Sequence, residues 1–309
     1  DEVPTNIQGV GYSTDGGKSF TDFGVPPRGT NWVWVSDPVV TVDEKTHTFY
    51  YCALFDSAGG TNGVGVVPAT FSGSSIVWGT PRATRIVNSG TTILDKQWIC
   101  ADSSNGVLHV IYTNFNNTTG SQIDYQRSTN GGVTWSVASK RNASQTNGLV
   151  HGARVATDRS GFVYLIWSRI GPVDVDFFDI VKSSTGGATS GTSFGTTFPL
   201  PSYYRNFGNG APGFNPERGI TFPAIAIDRN PGPNSNRVYV TWNECINFYD
   251  DIAGGAGNIS EVEQNGTTGT ATLFTPGNTL RGNISVVDPL GVNSDFDFFK
   301  FTAKAGQQL

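Results

Sequence analysis

The chain has 309 residues, 37% hydrophobic and 15% charged, with 39 Gly and 16 Pro. Charges well below the usual ~25% and abundant turn residues exclude coiled coils, helical bundles and charged disordered tails. A net charge of −5 gives no basic field for nucleic acid, and no apolar run approaches the ~18 residues of a membrane span.

The chain opens Asp1-Glu2-Val3-Pro4 and contains no Met, so the expectation is a removed targeting segment or a piece of a longer chain. Methionine oxidises readily outside cells, so its absence suits a secreted or surface protein. Cys52, Cys100 and Cys245 are too few for a disulfide scaffold and read as small buried hydrophobes. Asn-x-Ser/Thr triplets start at Asn116, Asn117, Asn142, Asn258, Asn265 and Asn283, and matter only in a glycosylating compartment.

In chain order, the first element is an outer hairpin: Gly9-Val10-Gly11-Tyr12, then a turn from Ser13 through Asp15 and Gly17 to Phe20. Next comes the first of four copies of one pattern, an alternating strand reaching an Asp at a turn and a second strand ending near an aromatic. The first strands are Pro38 to Asp43, Gln97 to Asp102, Ala153 to Asp158 and Pro223 to Asp228. Their partners are Thr48 to Cys52, Leu108 to Tyr112, Val163 to Trp167 and Val238 to Trp242, the last delayed by the insert Asn230 to Asn234. Between the second and third copies, Gln122 to Arg127 leads into a turn from Ser128 through Asn130 and Gly132 to Trp135. Ile180 to Gly187 is a worn version. Asp-Gly and Asn-Gly between alternating strands favour tight hairpins, with Ser and Asp bonding turn N–H groups and the Trp or Phe tucked beneath. Four strands per ~55 residues, repeated, read as blades, and no segment holds a helical period. The fold class is all-β.

The turns Ser13 to Phe20 and Ser128 to Trp135 look like Asp-boxes. With Ser36-Asp37-Pro38-Val39 and Asp95-Lys96-Gln97-Trp98-Ile99, the chain resembles the bacterial sialidase-like (Asp-box, or BNR-repeat) β-propeller proteins. The resemblance covers about residues 6–245 and implies four-stranded blades over 1–250, with residues 6–25 as the outer strands of one blade. It places the boxes away from the usual active face, so Ser13, Asp15, Gly17, Phe20, Ser128, Asn130, Gly132 and Trp135 are structural. A second resemblance lies in Glu261 to Thr267, Thr270 to Thr272, Gly282 to Ile284 and Asp295 to Gln307, which look like the first part of a bacterial pre-peptidase C-terminal (PPC) β-sandwich, 258–309. A half sandwich leaves strand edges uncovered, which invites self-assembly. Four visible inner hairpins fit either a closed four-bladed ring, clasped by the N-terminal strands, or a stretch of a larger propeller.

In such a propeller one rim collects Asp37, Asp95, Lys96, His151 and Arg218 from first strands, and Asp56, Asn114, Arg169 and Glu244 from second strands. The resemblance to sialidases implies an arginine cluster for a sugar carboxylate, a Tyr nucleophile with its Glu, and an acid. Arg154, Arg169 and Arg218 are the arginine candidates and Tyr203 and Tyr204 the nucleophile candidates, with Asp95 as the carboxylate. The family's early Arg-Ile-Pro signature and a Tyr/Glu pairing are absent, so no complete catalytic set is recognisable. The expected function is a secreted or cell-surface, non-catalytic propeller that binds glycan or a surface protein. The alternative is an exo-acting glycoside hydrolase on terminal acidic sugars. Trp32 and Trp34, or Tyr203 and Tyr204, could stack on sugars or pack between blades. His47, His109 and His151 lack zinc spacing. Asp174, Asp176 and Asp179, or Asp288, Asn293, Asp295 and Asp297, could gather around Ca²⁺, and no other cofactor is implied.

Overall fold

The computed structural model describes residues 8–141, 150–169, 175–201, 203–204, 222–242, 258–260, 272–274, 279–281 and 299–301. The chain divides into two units, Asp1–Ser202 with Phe222–Asn243, and Tyr203–Thr221 with Glu244–Leu309.

The first unit begins with the hairpin β1 (Val10–Tyr12) and β2 (Thr21–Gly24). The next sheet runs β3 (Trp32–Asp43), β4 (Thr48–Ser57), β5 (Thr61–Ser72) and β6 (Ser75–Trp78), with β7 (Arg82–Asn88) also on β5. A second sheet holds β8 (Thr92–Asp102), β9 (Val107–Asn116), β10 (Gly120–Ser128) and β11 (Ser139–Lys140). A third holds β12 (Val150–Thr157), β13 (Val163–Arg169), β14 (Val175–Lys182) and β15 (Phe198–Pro199). β17 (Ala224–Ile227) pairs with β18 (Val238–Thr241), and Tyr203–Tyr204, which belongs to the second unit, is the short strand β16. In the second unit β19 (Asn258–Ser260) pairs in parallel with β21 (Thr279–Arg281), and β20 (Thr272–Phe274) with β22 (Phe299–Phe301). The only helix among the described residues is one 3-10 turn, Gly187–Thr189, and none is long and apolar enough to cross a membrane.

Each inner pair turns at an aspartate whose carboxylate bonds the turn. Asp43 accepts from the Lys45 N–H and Thr46 hydroxyl, Asp102 from Ser104 and Asn105, Asp158 from the Ser160 and Phe162 N–H groups, and Asp228 from the Asn230 N–H. The first strands β3, β8, β12 and β17 lie side by side in that order. Their corners are linked too: the Glu44 N–H donates to Ser103 Oγ, Arg229 pairs with Asp102, and the Arg159 N–H donates to Asn236 Oδ1. Inner hairpins ranged about one axis make a β-propeller.

Packing follows strand alternation, because successive side chains point to opposite faces. On β4, Tyr50, Cys52 and Leu54 face Leu108, Val110 and Tyr112 of β9, whereas Tyr51, Ala53 and Phe55 pack on the other face with Trp32, Trp34 and Val10. On β9, Ile111 turns instead towards Val155, Leu165 and Trp167 of the third sheet. Sheets covered on both faces explain why Trp34 and Trp167 are completely buried. Trp32 and Trp34 are therefore packing residues, with Trp32 stacked on Phe55 at 3.9 Å.

The two turns at Ser13 and Ser128 share one bonding scheme. Ser13 Oγ and Ser128 Oγ each accept an N–H at 2.9 Å, from Gly17 and Gly132, and Asp15 and Asn130 accept the Ser19 and Thr134 N–H groups at 3.0 Å. Gly17 and Gly132 have φ of 85° and 84°, which a side chain rarely adopts. Trp135 tucks beneath its turn, donating to the Gly132 carbonyl. Phe20 does not, and this corrects the expectation: it is 71% exposed and lines a pocket with Tyr12, Val40, Phe49 and Phe71 instead of closing under its turn. At Ser183 the worn copy departs further, its hydroxyl donating to the Thr185 carbonyl.

Candidate functional site

The first strands run through the positions expected at their starts, and each carries an irregularity there. Register shifts fall between Ser36 and Val39, Asp95 and Trp98, and His151 and Arg154. At each shift one residue is left-handed: Asp37 (φ 56°), Lys96 (φ 49°) and Gly152 (φ 65°). All three stand six residues before the corner aspartate of their strand. A bulge re-aims the side chains around it, and repeating it on adjacent strands brings three sets together.

The result is one cluster. Lys96 Nζ donates to Asp37 Oδ1 at 2.8 Å, and His151 Nε2 lies 3.5 Å from Asp95 Oδ2. Gln97 donates to the Asp37 carbonyl and, at 3.3 Å, to that of Cys52. Arg154 lies over Trp98, 4.2 Å from the ring centre, and 5.7 Å from that of Phe222. Phe222 is the same sixth residue before the fourth corner, Asp228, and it fills the space over Gly152. It also packs against His151 and lies 5.6 Å from Lys96 Nζ.

Charges here interact strongly. Burial, and then the charge of Asp37, push the Asp95 carboxyl above its usual range. Burial, and then the Lys96 cation, pull His151 down to about 4. Neutral His151 shares a 3.0 Å hydrogen bond with the Thr113 hydroxyl. The unfolded imidazole takes a proton near pH 6.5 and the folded one only near 4, so stability should fall as pH drops through that window. The His151 share is on the order of 3 kcal/mol. Asp95, with its raised carboxyl, acts in the opposite sense. Urea unfolding between pH 7 and 4 should show a steeper loss for the wild type than for H151Q; equal slopes would contradict this.

Of the residues singled out from sequence, Asp37, Asp95, Lys96, His151 and Arg154 are brought together. Asn114 is not at a solvated rim but buried, donating to Asp124 at 2.7 Å, with Arg85 of the neighbouring sheet on the same carboxylate. Asp56 is exposed, opposite Val33. Arg169 is paired with Asp179 at 2.7 Å and lies over Phe177. Arg218, Glu244, Cys245, Asp174, Asp288, Asn293, Asp295, Asp297 and the side chains of Tyr203 and Tyr204 lie outside the described residues, as does most of 258–309. Among the described residues no three His, Cys, Asp or Glu side chains gather as for a metal ion. Sequence reasoning missed Phe222 and Trp98, although the six-residue spacing to Asp228 marks Phe222.

These bulged first strands about an axis define the class: a β-propeller with a polar and aromatic cluster on its inner strands. No protein-family model and no curated protein matches the sequence. Solved structures match in fold. A Fusarium graminearum GH93 α-L-arabinofuranosidase is 12% identical, with a TM-score of 0.53 over 78% of this chain and 68% of its own. A Penicillium chrysogenum α-L-arabinanase is 12% identical, with a TM-score of 0.51 over 75% and 66%. A Hadza microbial sialidase is 16% identical, with a TM-score of 0.43 over 68% and 46%. The chain thus spans under half of that sialidase and about two thirds of the arabinanase.

Proposed function

We propose that this chain is a secreted or cell-surface propeller that binds glycan without cleaving it, and that Arg154 receives a sugar carboxylate. One observation carries the reading: Arg154 is stacked on Trp98, and among the described residues no carboxylate lies within ion-pair distance of it. Arg154 Nη1 donates to the Ala153 carbonyl at 3.0 Å, the other guanidinium donors are left for a planar carboxylate, and Phe222 beside them gives apolar surface for a sugar ring. No complete hydrolase set of arginine cluster, Tyr/Glu pair and acid is recognisable in the sequence, which favours binding over cleavage.

Residues 1–250 form a bacterial sialidase-like propeller whose Ser13 and Ser128 turns are Asp-boxes, supported by their shared bonding. Residues 258–309 are the first part of a PPC-like sandwich, a surface for self-assembly or for a surface-protein partner. The second reading, an exo-acting glycoside hydrolase, draws on the raised Asp95 carboxyl, a shift in the direction that suits a general acid.

Calorimetric titration with sialyllactose tests the proposal. Arg154→Ala should weaken binding roughly 10–100-fold, the worth of a lost charged hydrogen-bond pair. Release of a fluorogenic sialoside by the wild type, abolished in R154A, would replace the binder with the enzyme.

A further inference from the structure

Asp37 and Lys96 are the only non-glycine residues of left-handed φ inside strands among the described residues; Asn31, His47 and Asn236, the others, lie in turns. An L-residue pays a steric penalty in that conformation that glycine avoids, and such outliers persist where the surroundings demand them. The third bulge does use glycine, because Phe222 occupies the space a side chain would need. At the first two bulges the chain instead carries an acid and a base, and their heads meet at 2.8 Å between neighbouring inner strands.

Stability alone is a weak reason for this choice. The Lys96 and Asp37 side chains are 31% and 23% exposed, so water screens part of the pair's attraction. The bulge itself would form with glycine at both positions, as it does at Gly152. Lys96 and Arg154 moreover flank the same Phe222 ring, at 5.6 and 5.7 Å, so two cations stand beside one apolar platform.

We infer that the Asp37–Lys96 pair is a ligand selector: a sugar carboxylate displaces Asp37 from Lys96 and is held between Lys96 and Arg154, while a neutral sugar leaves the pair closed. Lys96 is then a specificity-determining residue kept at a cost in backbone strain. The inference rests on the glycan reading above.

Lys96→Gly separates the two ideas. Titrations with sialyllactose and with lactose, alongside thermal melts, give the readouts. The expected result is a wild type that prefers sialyllactose about tenfold or more, the scale of one charged contact. K96G should lose that preference while keeping its affinity for lactose, and Lys96→Arg should restore it. The K96G melting temperature should equal the wild-type value or exceed it by about 2 °C, since strain relief offsets the lost pair. A melt lowered by several degrees would make the pair a structural clamp and overturn the inference, whatever binds. So would an unchanged preference in K96G. A wild type that binds neither sugar would overturn the glycan reading and the selector with it.

Discussion

Gly152→Ala is expected to cost about 4 kcal/mol and to lower the melting temperature by roughly 10 °C. Two effects add. The residue sits at φ 65°, where a side chain costs about 1–2 kcal/mol. A Cβ there would also stand 1.8 Å from Phe222 Cδ1 and 2.9 Å from its Cγ, so the whole ring must leave rather than its tip. Overpacking of that kind adds about 1–3 kcal/mol. Because Phe222 touches His151 and flanks Lys96 and Arg154, displacing it disturbs the cluster as well. Differential scanning calorimetry measures the first consequence. A melt within 3 °C of the wild type would mean that Phe222 does not occupy that space.

The second large effect is at a corner. Asp102 is completely buried and accepts the Ser104 N–H at 3.0 Å, the Ser104 hydroxyl at 2.7 Å and Asn105 Nδ2 at 2.8 Å, with Arg229 at 3.3 Å. Asp102→Ala removes the common acceptor and leaves these donors without it, which should cost about 3–5 kcal/mol. The fourth corner gives the control. Asp228 is only partly buried and accepts the Asn230 N–H, so Asp228→Ala should cost about 1 kcal/mol or less. Urea unfolding of both variants checks the ranking, and equal losses would show that the corners do not act through buried hydrogen bonds.

The corners were legible in the sequence because an aspartate in a short turn between alternating strands has few other uses. Asp43, Asp102, Asp158 and Asp228 all fall where that reasoning put them, each at the turn between two paired strands. The bulges were not legible. Nothing in Asp37 or Lys96 announces a left-handed backbone, since glycine is the residue that signals it, and only the constant distance to the corner reveals the repeat. Trp98 and Arg154 likewise occupy the same place, four residues before their corners, yet their stacking needs both strands in register. Asn114 misleads for a related reason. Its strand lies between two packed sheets, so a polar side chain there joins an interior hydrogen-bond network instead of facing water.

The long turn after Asp228 has a practical bearing. The Asp228 N–H donates to the Arg237 carbonyl and the Asn236 N–H to the Asp228 carbonyl, so the turn is fastened at its base while Asn230 to Ser235 bow outward. Corner chemistry therefore tolerates loops of unequal length without disturbing the strands that they join. That makes the Pro231–Asn234 segment the natural place to splice an epitope or a labelling peptide into this scaffold.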